Sequence, residues 1–200
     1  MLKTSEMRRQ VFHVSAGVLI LLLIKYGILN PARIFIVLVF GIILSIIAKK
    51  VKIPIIHWFL LKFERKEELK RFPGRGVIYF FAGTLLVLML FPADIAYASI
   101  MILALGDSIS HIAGIRIGKF KHPLSKEKLI EGTLVGTLFA FIGAMFFVSP
   151  LEALLASVGA MTAEVVEFRM NEQTVDDNLI VPLVAGTIIF LVRTYVMPLF

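Results

Sequence analysis

The chain has no cysteine. Disulfides, thiolate metal sites and a nucleophilic Cys are therefore excluded. Charge is also scarce, with 18% of residues charged and 58% hydrophobic. A soluble domain averages about 25% charged and roughly 45–50% apolar residues. With a mean hydropathy of +0.91, an ordinary soluble globule is excluded. No polar or Gly/Ser/Pro-rich linker, low-complexity segment or clear internal repeat divides residues 1–200, so a single domain is expected. There is no GxxxxGK[ST] stretch, which excludes a Walker A phosphate loop.

What is there falls into apolar blocks. Seven segments qualify as spans: approximately Val11–Leu29, Arg33–Ala48, Gly76–Phe91, Asp94–Ile112, Thr133–Val148, Leu151–Val166 and Leu179–Met197. Several are shorter than the roughly 20 residues that a bilayer core requires. The expected fold is all-α: a polytopic integral membrane protein of about seven transmembrane helices. The N-terminal stretch MLKTSEMRRQ precedes an apolar run but no small-residue cleavage site follows, so it reads as a retained first helix rather than a signal peptide.

The connections between blocks predict orientation. Asn30–Pro31–Ala32, Pro92–Ala93 and Ser149–Pro150 are tight neutral turns. They alternate with basic stretches: the N-terminal tail, residues 49–75 and residues 114–130. The positive-inside rule then places the N-terminus in the cytoplasm and the C-terminus outside. The net charge of +7 reads as loops facing anionic lipid rather than a nucleic-acid surface, because no basic stretch lies in a soluble module. Within 49–75, IPIIHWFLLKF is too short and too flanked by charge to span, and predicts an interfacial amphipathic helix that ERKEELKR continues as a solvated face. It serves as a surface anchor or as an entry platform for a lipid.

Ionisable residues within spans are costly and need a reason. Lys25, Asp94 and Arg193 lie near the outer ends, where snorkelling explains them. The others gather at the cytoplasmic end. Asp107, one residue after Gly106 and before Ser108, shares a helical face with His111 at i and i+4. Gly114 and Gly118 lead into a loop with Lys119, Lys121, Ser125, Lys126 and Lys128, and Glu131–Gly132–Thr133 opens the next helix. Glycines allow close backbone approach, lysines neutralise phosphate, and a helix N-terminus offers free N–H groups. A carboxylate facing such a loop suits Mg²⁺; a plain basic loop with an Asp–Lys pair remains the alternative. Glu164 and Glu167 share a face at i and i+3, and Asp176, Asp177 and Asn178 stand at the mouth of the last span. These could complete a metal site, or cap the helix and form surface ion pairs. His13, about one turn after Arg8 and Arg9, is a packing residue or part of the same polar cluster. GTLVGTLFAFIGA carries small-residue spacings suited to close helix packing and so to a homodimer.

The segments RRQVFHVSAG, GDSISHIAGIRIGK, KEKLIEGTLVG and DDNLIVPLVAG, in that order, resemble the CTP-dependent polyprenol and lipid kinases: dolichol, phytol and farnesol kinases and the yeast-type diacylglycerol kinase. A more distant similarity runs to phosphatidate cytidylyltransferase. The resemblance spans Arg8 to Gly186. It implies γ-phosphate transfer from CTP to a lipid alcohol, with a divalent cation such as Mg²⁺, at the cytoplasmic face. Asp107 would hold the metal or activate the hydroxyl, with Lys126 and Asp177 also catalytic. Gly106, Ser108, Gly114, Gly118, Lys119, Ser125, Glu131, Gly132 and Thr133 would form the nucleotide site. Asp107, Glu131, Asp177 and Asn178 would hold the metal, and His13, His111, Glu164 and Glu167 would face substrate. The chain is much shorter than eukaryotic dolichol kinases, as a minimal catalytic core would be. It lacks the H-G-G-x-x-D-R-x-D-like run of cytidylyltransferases, which favours a kinase over a CDP-lipid synthase. An ion-coupled transporter is the alternative from another class. It would want acids spread through the membrane depth in related halves.

Overall fold

Prolines mark where helices begin in the computed structural model, as their fixed φ and missing N–H favour. The structure describes residues 2–51, 53–64, 69, 72–125, 127–166, 169–170 and 173–199. Helix α1 runs Leu2–Lys25, α2 Pro31–Ala48 and α3 Pro54–Phe63. Helix α4 runs Arg75–Leu90 and α5 Ala93–Ile117. Then follow α6 Ile130–Ala144, α7 Pro150–Val165 and α8 Asp177–Leu191, the last continuing through a π turn, Val192–Val196. Between α7 and α8 a two-residue hairpin pairs Arg169–Met170 with Gln173–Thr174.

The seven longest helices occupy the seven stretches that hydropathy marks, with shifted ends. Helix α1 starts well before Val11 and stops at Lys25, where Gly27 at φ 72° turns the chain. Among the described residues, four helices are long and apolar enough to cross a membrane: Glu6–Lys25, Pro31–Ala48, Ala93–Ile117 and Asp177–Val196. The protein is an integral membrane protein of all-α type. Helices α4, α6 and α7 have 16, 15 and 16 residues, about 24 Å of rise each, short of the roughly 30 Å hydrocarbon core.

Helix α5 forms the centre. Ile95, Ala96, Ala98, Ile100, Ile102, Leu103 and Ala104 are all buried, and α1, α4, α6, α7 and α8 pack around it. Its middle, Ile102–Asp107, is a π turn. One extra residue per turn re-aims the following side chains, and such turns recur at functional sites. Helix α6 crosses α5 through small residues: a Cβ on Gly136 would lie 2.6 Å from the Gly106 carbonyl oxygen and 2.6 Å from Ser110 Cβ. The small-residue spacing of GTLVGTLFAFIGA is thus used inside the chain. Helix α2 sits at the rim, buried chiefly at Ile34 and Ser45.

The ends of the bundle differ. At one end Arg193 Nη1 donates to Asp94 Oδ2 at 2.6 Å, and its Nε donates to Glu152 Oε1 at 2.7 Å. Glu152 is buried and also closes a capping box with Ser149 at the start of α7. Asp94 and Arg193 are therefore not separate snorkelling charges but two thirds of a lock across α5, α7 and α8. Lys25 lies over the Phe147 ring at 5.6 Å. The other polar cluster lies at the opposite end, further along α5 at Asp107 and α7 at Glu164, and earlier in α8 at Asp177.

Pro182 lies inside α8 and cannot bond the Asn178 carbonyl one turn earlier. Helix α4 approaches at that carbonyl, where a Cβ on Gly83 would come within 2.2 Å of the Asn178 oxygen. Gly83→Ala should therefore force the helices apart and destabilise the fold by about 1–3 kcal/mol. Gly76→Ala, with nothing within 4 Å of the added Cβ, should be neutral or stabilising by less than about 1 kcal/mol. Thermal unfolding in detergent, followed by helical circular dichroism, compares the two; equal melting temperatures would refute this account of the crossing.

Candidate active site

The middle of one helix and the ends of two others bring acids together. Asp107 leaves the π turn of α5, Glu164 is in the last turn of α7, and Asp177 is in the first turn of α8. With His111, one turn after Asp107, they each offer a ligand atom within 4.8 Å of the others. His111 Nε2 lies 3.5 Å from Asp107 Oδ1. All four line a cavity of about 780 Å³ that also reaches α1, α3 and the start of α4. The cluster gathers acids from three helices at one end of the bundle, opposite Arg193.

Like charges this close need compensation. Lys128 Nζ donates to the Glu164 carboxylate and, at 2.6 Å, to the Glu164 backbone oxygen. One ammonium thus neutralises the acid and caps the end of α7. Burial alone would lower the Lys128 pKa, but Glu164, Asp177 and Asp107 together raise it above the ordinary 10.5. The stabilisation from this charged form is complete at neutral pH and is lost only as pH climbs through the raised value. Arg75 Nε donates to Asp176 Oδ2 at 3.1 Å. Asp176 is the N-cap of α8, accepting from Asn178 N at 3.2 Å and Asn178 Nδ2 at 2.8 Å. Burial, and then the adjacent Asp177, push its carboxyl up to about 6. Asp176 is thus the cap, and Asp177, whose Oδ1 also accepts from Asn178 N at 3.0 Å, lines the cavity beside it.

A divalent ion suits this group on the chemistry of its donors. Asp107 Oδ1, Glu164 Oε2 and Asn178 Oδ1 are buried without a hydrogen-bond partner, and buried polar atoms normally have one. Three carboxylates fit Mg²⁺ or Mn²⁺, and the imidazole shifts preference toward Mn²⁺. His13 Nε2 is likewise buried and unpartnered, with its ring edge-on to Phe80 at 5.4 Å.

The structure divides the residues singled out in sequence. His13, Asp107, His111, Gly114, Glu164, Asp177 and Asn178 line the cavity; Gly106, Ser108, Gly118, Lys119, Ser125, Glu131, Gly132 and Thr133 do not. Gly106 and Gly132 are packing positions in the α5–α6 crossing, and Ser108 is buried. The loop after α5 folds into a hairpin, with His122 N donating to Lys128 O at 2.9 Å and Ile130 N to Phe120 O at 3.0 Å. Ser125 Oγ accepts from Glu127 N and Lys128 N, both at 3.2 Å, and braces that loop. The Glu131 carboxylate accepts from Lys119 N at 3.0 Å and Phe120 N at 3.2 Å, well exposed and outside the acidic group. Its carboxylate closes this loop on the backbone. Thr133 Oγ1 donates back to Leu129 O at 3.4 Å. Lys126 and Glu167 lie outside the described residues. The sequence marks Lys128 and Asp176, but not their pairing with Glu164 and Arg75, because those partners are 36 and 101 residues away in the chain.

Comparison with known proteins adds a second line. The chain is 34% identical to an uncharacterised protein of Methanocaldococcus jannaschii, over 92% of each chain. It is 26% identical to CTP-dependent diacylglycerol kinase 1 of Schizosaccharomyces pombe, over 95% of this chain and 94% of that one. It is 32% identical to a probable chloroplastic phytol kinase of Triticum aestivum, over 64% of this chain but only 46% of the plant protein. Neither a protein-family model nor a solved structure matches it.

Mn²⁺ titrated into the purified protein, read by electron paramagnetic resonance, tests the acidic group. Asp107→Asn and Asp177→Asn should each weaken binding at least about tenfold, whereas Glu131→Gln should leave it unchanged. Loss of binding in Glu131→Gln alone would move the metal to the loop.

Proposed function

Because the chain belongs to the family of CTP-dependent lipid kinases, we propose that it transfers the γ-phosphate of CTP to the hydroxyl of a membrane lipid alcohol at the cytoplasmic face. The observation that carries this reading is the single cavity in which Asp107, His111, Glu164, Asp177 and Lys128 meet the apolar side chains of α1 and α3. A soluble triphosphate needs the first set, and a lipid needs the second.

The reaction forms a bond from the lipid oxygen to the γ-phosphorus and breaks the bond from that phosphorus to the oxygen bridging β and γ. CDP leaves and the hydroxyl proton passes to a base. Phosphoryl transfer asks mainly for positioning and charge neutralisation. Asp107, Asp177 and Glu164 would hold a divalent ion, with Asn178 beside them. When bound, such an ion neutralises phosphate oxygens. Lys128 is the ammonium that faces this group; Lys119 and Lys126 supply further positive charge from the loop. Asp107 holds the metal or takes the hydroxyl proton, and His13 lines the same cavity with its Nε2 unpartnered. Read as seven crossings, the chain would hold its basic loops and this end in the cytoplasm by the positive-inside rule, which supports access to CTP. The alcohol is a dolichol-like polyprenol, a phytol-like isoprenoid or a diacylglycerol.

A transporter would use acids along the membrane depth. Here the acids at the far end are tied to Arg193, which does not favour an ion path. Incubation of these three alcohol classes with γ-labelled CTP, ATP and GTP tests the proposal. Labelled lipid monophosphate and CDP are expected from CTP, with a loss of at least about a hundredfold in Asp107→Asn. Release of pyrophosphate with a CDP-lipid would mark a cytidylyltransferase, and full activity in folded Asp107→Asn would remove the role given to that residue.

A further inference from the structure

Helix α3 has apolar side chains on both of its sides. Phe59, Leu60 and Phe63 line the cavity, whereas Ile55, Trp58 and Leu61 are 81%, 59% and 58% exposed. Of its ten residues only His57 and Lys62 are polar, and Lys62 Nζ rests 4.5 Å from the Trp58 ring centroid. A surface helix that only anchors needs one apolar face. This helix has a second, turned toward the site.

On the cavity side, Phe59 and Phe63 close on Phe12 of α1, with ring centroids 5.2 and 4.7 Å away and 4.9 Å between the two. Phe12 immediately precedes His13, so the ring cluster borders the polar group directly. The far end of α3 is held. It stops at Phe63, and the Glu64 carboxylate accepts from Gly74 N at 2.7 and 2.9 Å and from Arg75 N at 3.1 Å, at the start of α4. Exchanging ring–ring contact for ring–chain contact conserves apolar burial, so the seam opens to a lipid at small net cost.

We infer that the seam between α1 and α3, closed by Phe12, Phe59 and Phe63, admits and holds the apolar chain of the lipid alcohol, leaving its hydroxyl beside His13 and Asp107. Only the identity of the head group rests on the kinase reading. Glu64 is a positioning residue, the fixed point from which α3 presents its rings.

Trp58 is the protein's one tryptophan, so intrinsic fluorescence reports α3. The full chain in unbrominated phosphatidylcholine vesicles is titrated with a long-chain alcohol brominated in mid-chain, and separately with the same brominated chain as its methyl ester. Saturable quenching by the alcohol is expected, against only linear quenching by the ester. Phe12→Ala and Phe59→Ala should raise the half-saturation about tenfold. They should raise KM for the long-chain alcohol about tenfold more than KM for a six-carbon alcohol or for CTP. Phe59→Leu, which keeps apolar volume, should show a smaller shift and guards against misfolding of the alanine variants. Identical quenching by alcohol and ester, or half-saturation and KM unmoved by the substitutions, overturns the proposal. If no nucleotide phosphorylates any alcohol but the alcohol-specific quenching persists, the kinase reading fails and the seam stands.

Discussion

Like charges held together in a medium of low dielectric constrain the whole cavity end of this bundle. Asp107, Glu164 and Asp177 would repel one another across less than 5 Å, and the surrounding helices offer little water to screen them. Each is met in its own way. Asp177 is in the first turn of α8, where the helix dipole favours an anion. Glu164 is in the last turn of α7, where the dipole disfavours it, and it is the one that Lys128 both neutralises and caps. Asp107 has His111 on its own helix. The basic loop is therefore held to the bundle by the charge that it balances, and a nucleotide's phosphates would enter a field already divided into anionic wall and cationic loop.

The backbone that holds this arrangement is built from missing atoms. Proline withholds an N–H at Pro182, which leaves a carbonyl for α4 to approach, and glycine withholds a Cβ at Gly83, which lets it approach. Where α6 crosses α5 the same economy applies at Gly136. These close crossings fix the depth at which the middle of α5 and the start of α8 present their acids. Sub-ångström misplacement there would change how well three carboxylates share one ion.

Much of this was legible without coordinates, for stated reasons. Hydropathy located seven helices because a bilayer demands apolar length, and the i, i+4 rule placed Asp107 and His111 together because both lie on α5. Glu164 and Asp177 joined them as their shared end of the membrane suggested. What periodicity could not supply was anything settled by tertiary contact. Gly106 and Gly132 read as phosphate-loop glycines but serve the α5–α6 crossing. Glu131 read as a ligand but closes its own loop on backbone N–H groups. The π turn that ends at Asp107 has no sequence signature, nor has the reach of Glu64 to α4; most of the stretch expected to continue α3 lies outside the described residues. Lys128 differs from its neighbours Lys119 and Lys121 only in which way the hairpin points it.

The lock of Arg193 with Asp94 and Glu152 has a meaning for how the protein is made. Synthesis delivers Asp94 first and Glu152 about sixty residues later, while Arg193 comes last of the three. Two acids at that end of the bundle thus precede the cation that α8 brings. Insertion of α8 completes the lock and, at its other end, delivers Asp177 to the carboxylate group. One biogenetic event both seals the bundle and assembles its chemistry, so a chain stalled before α8 has neither.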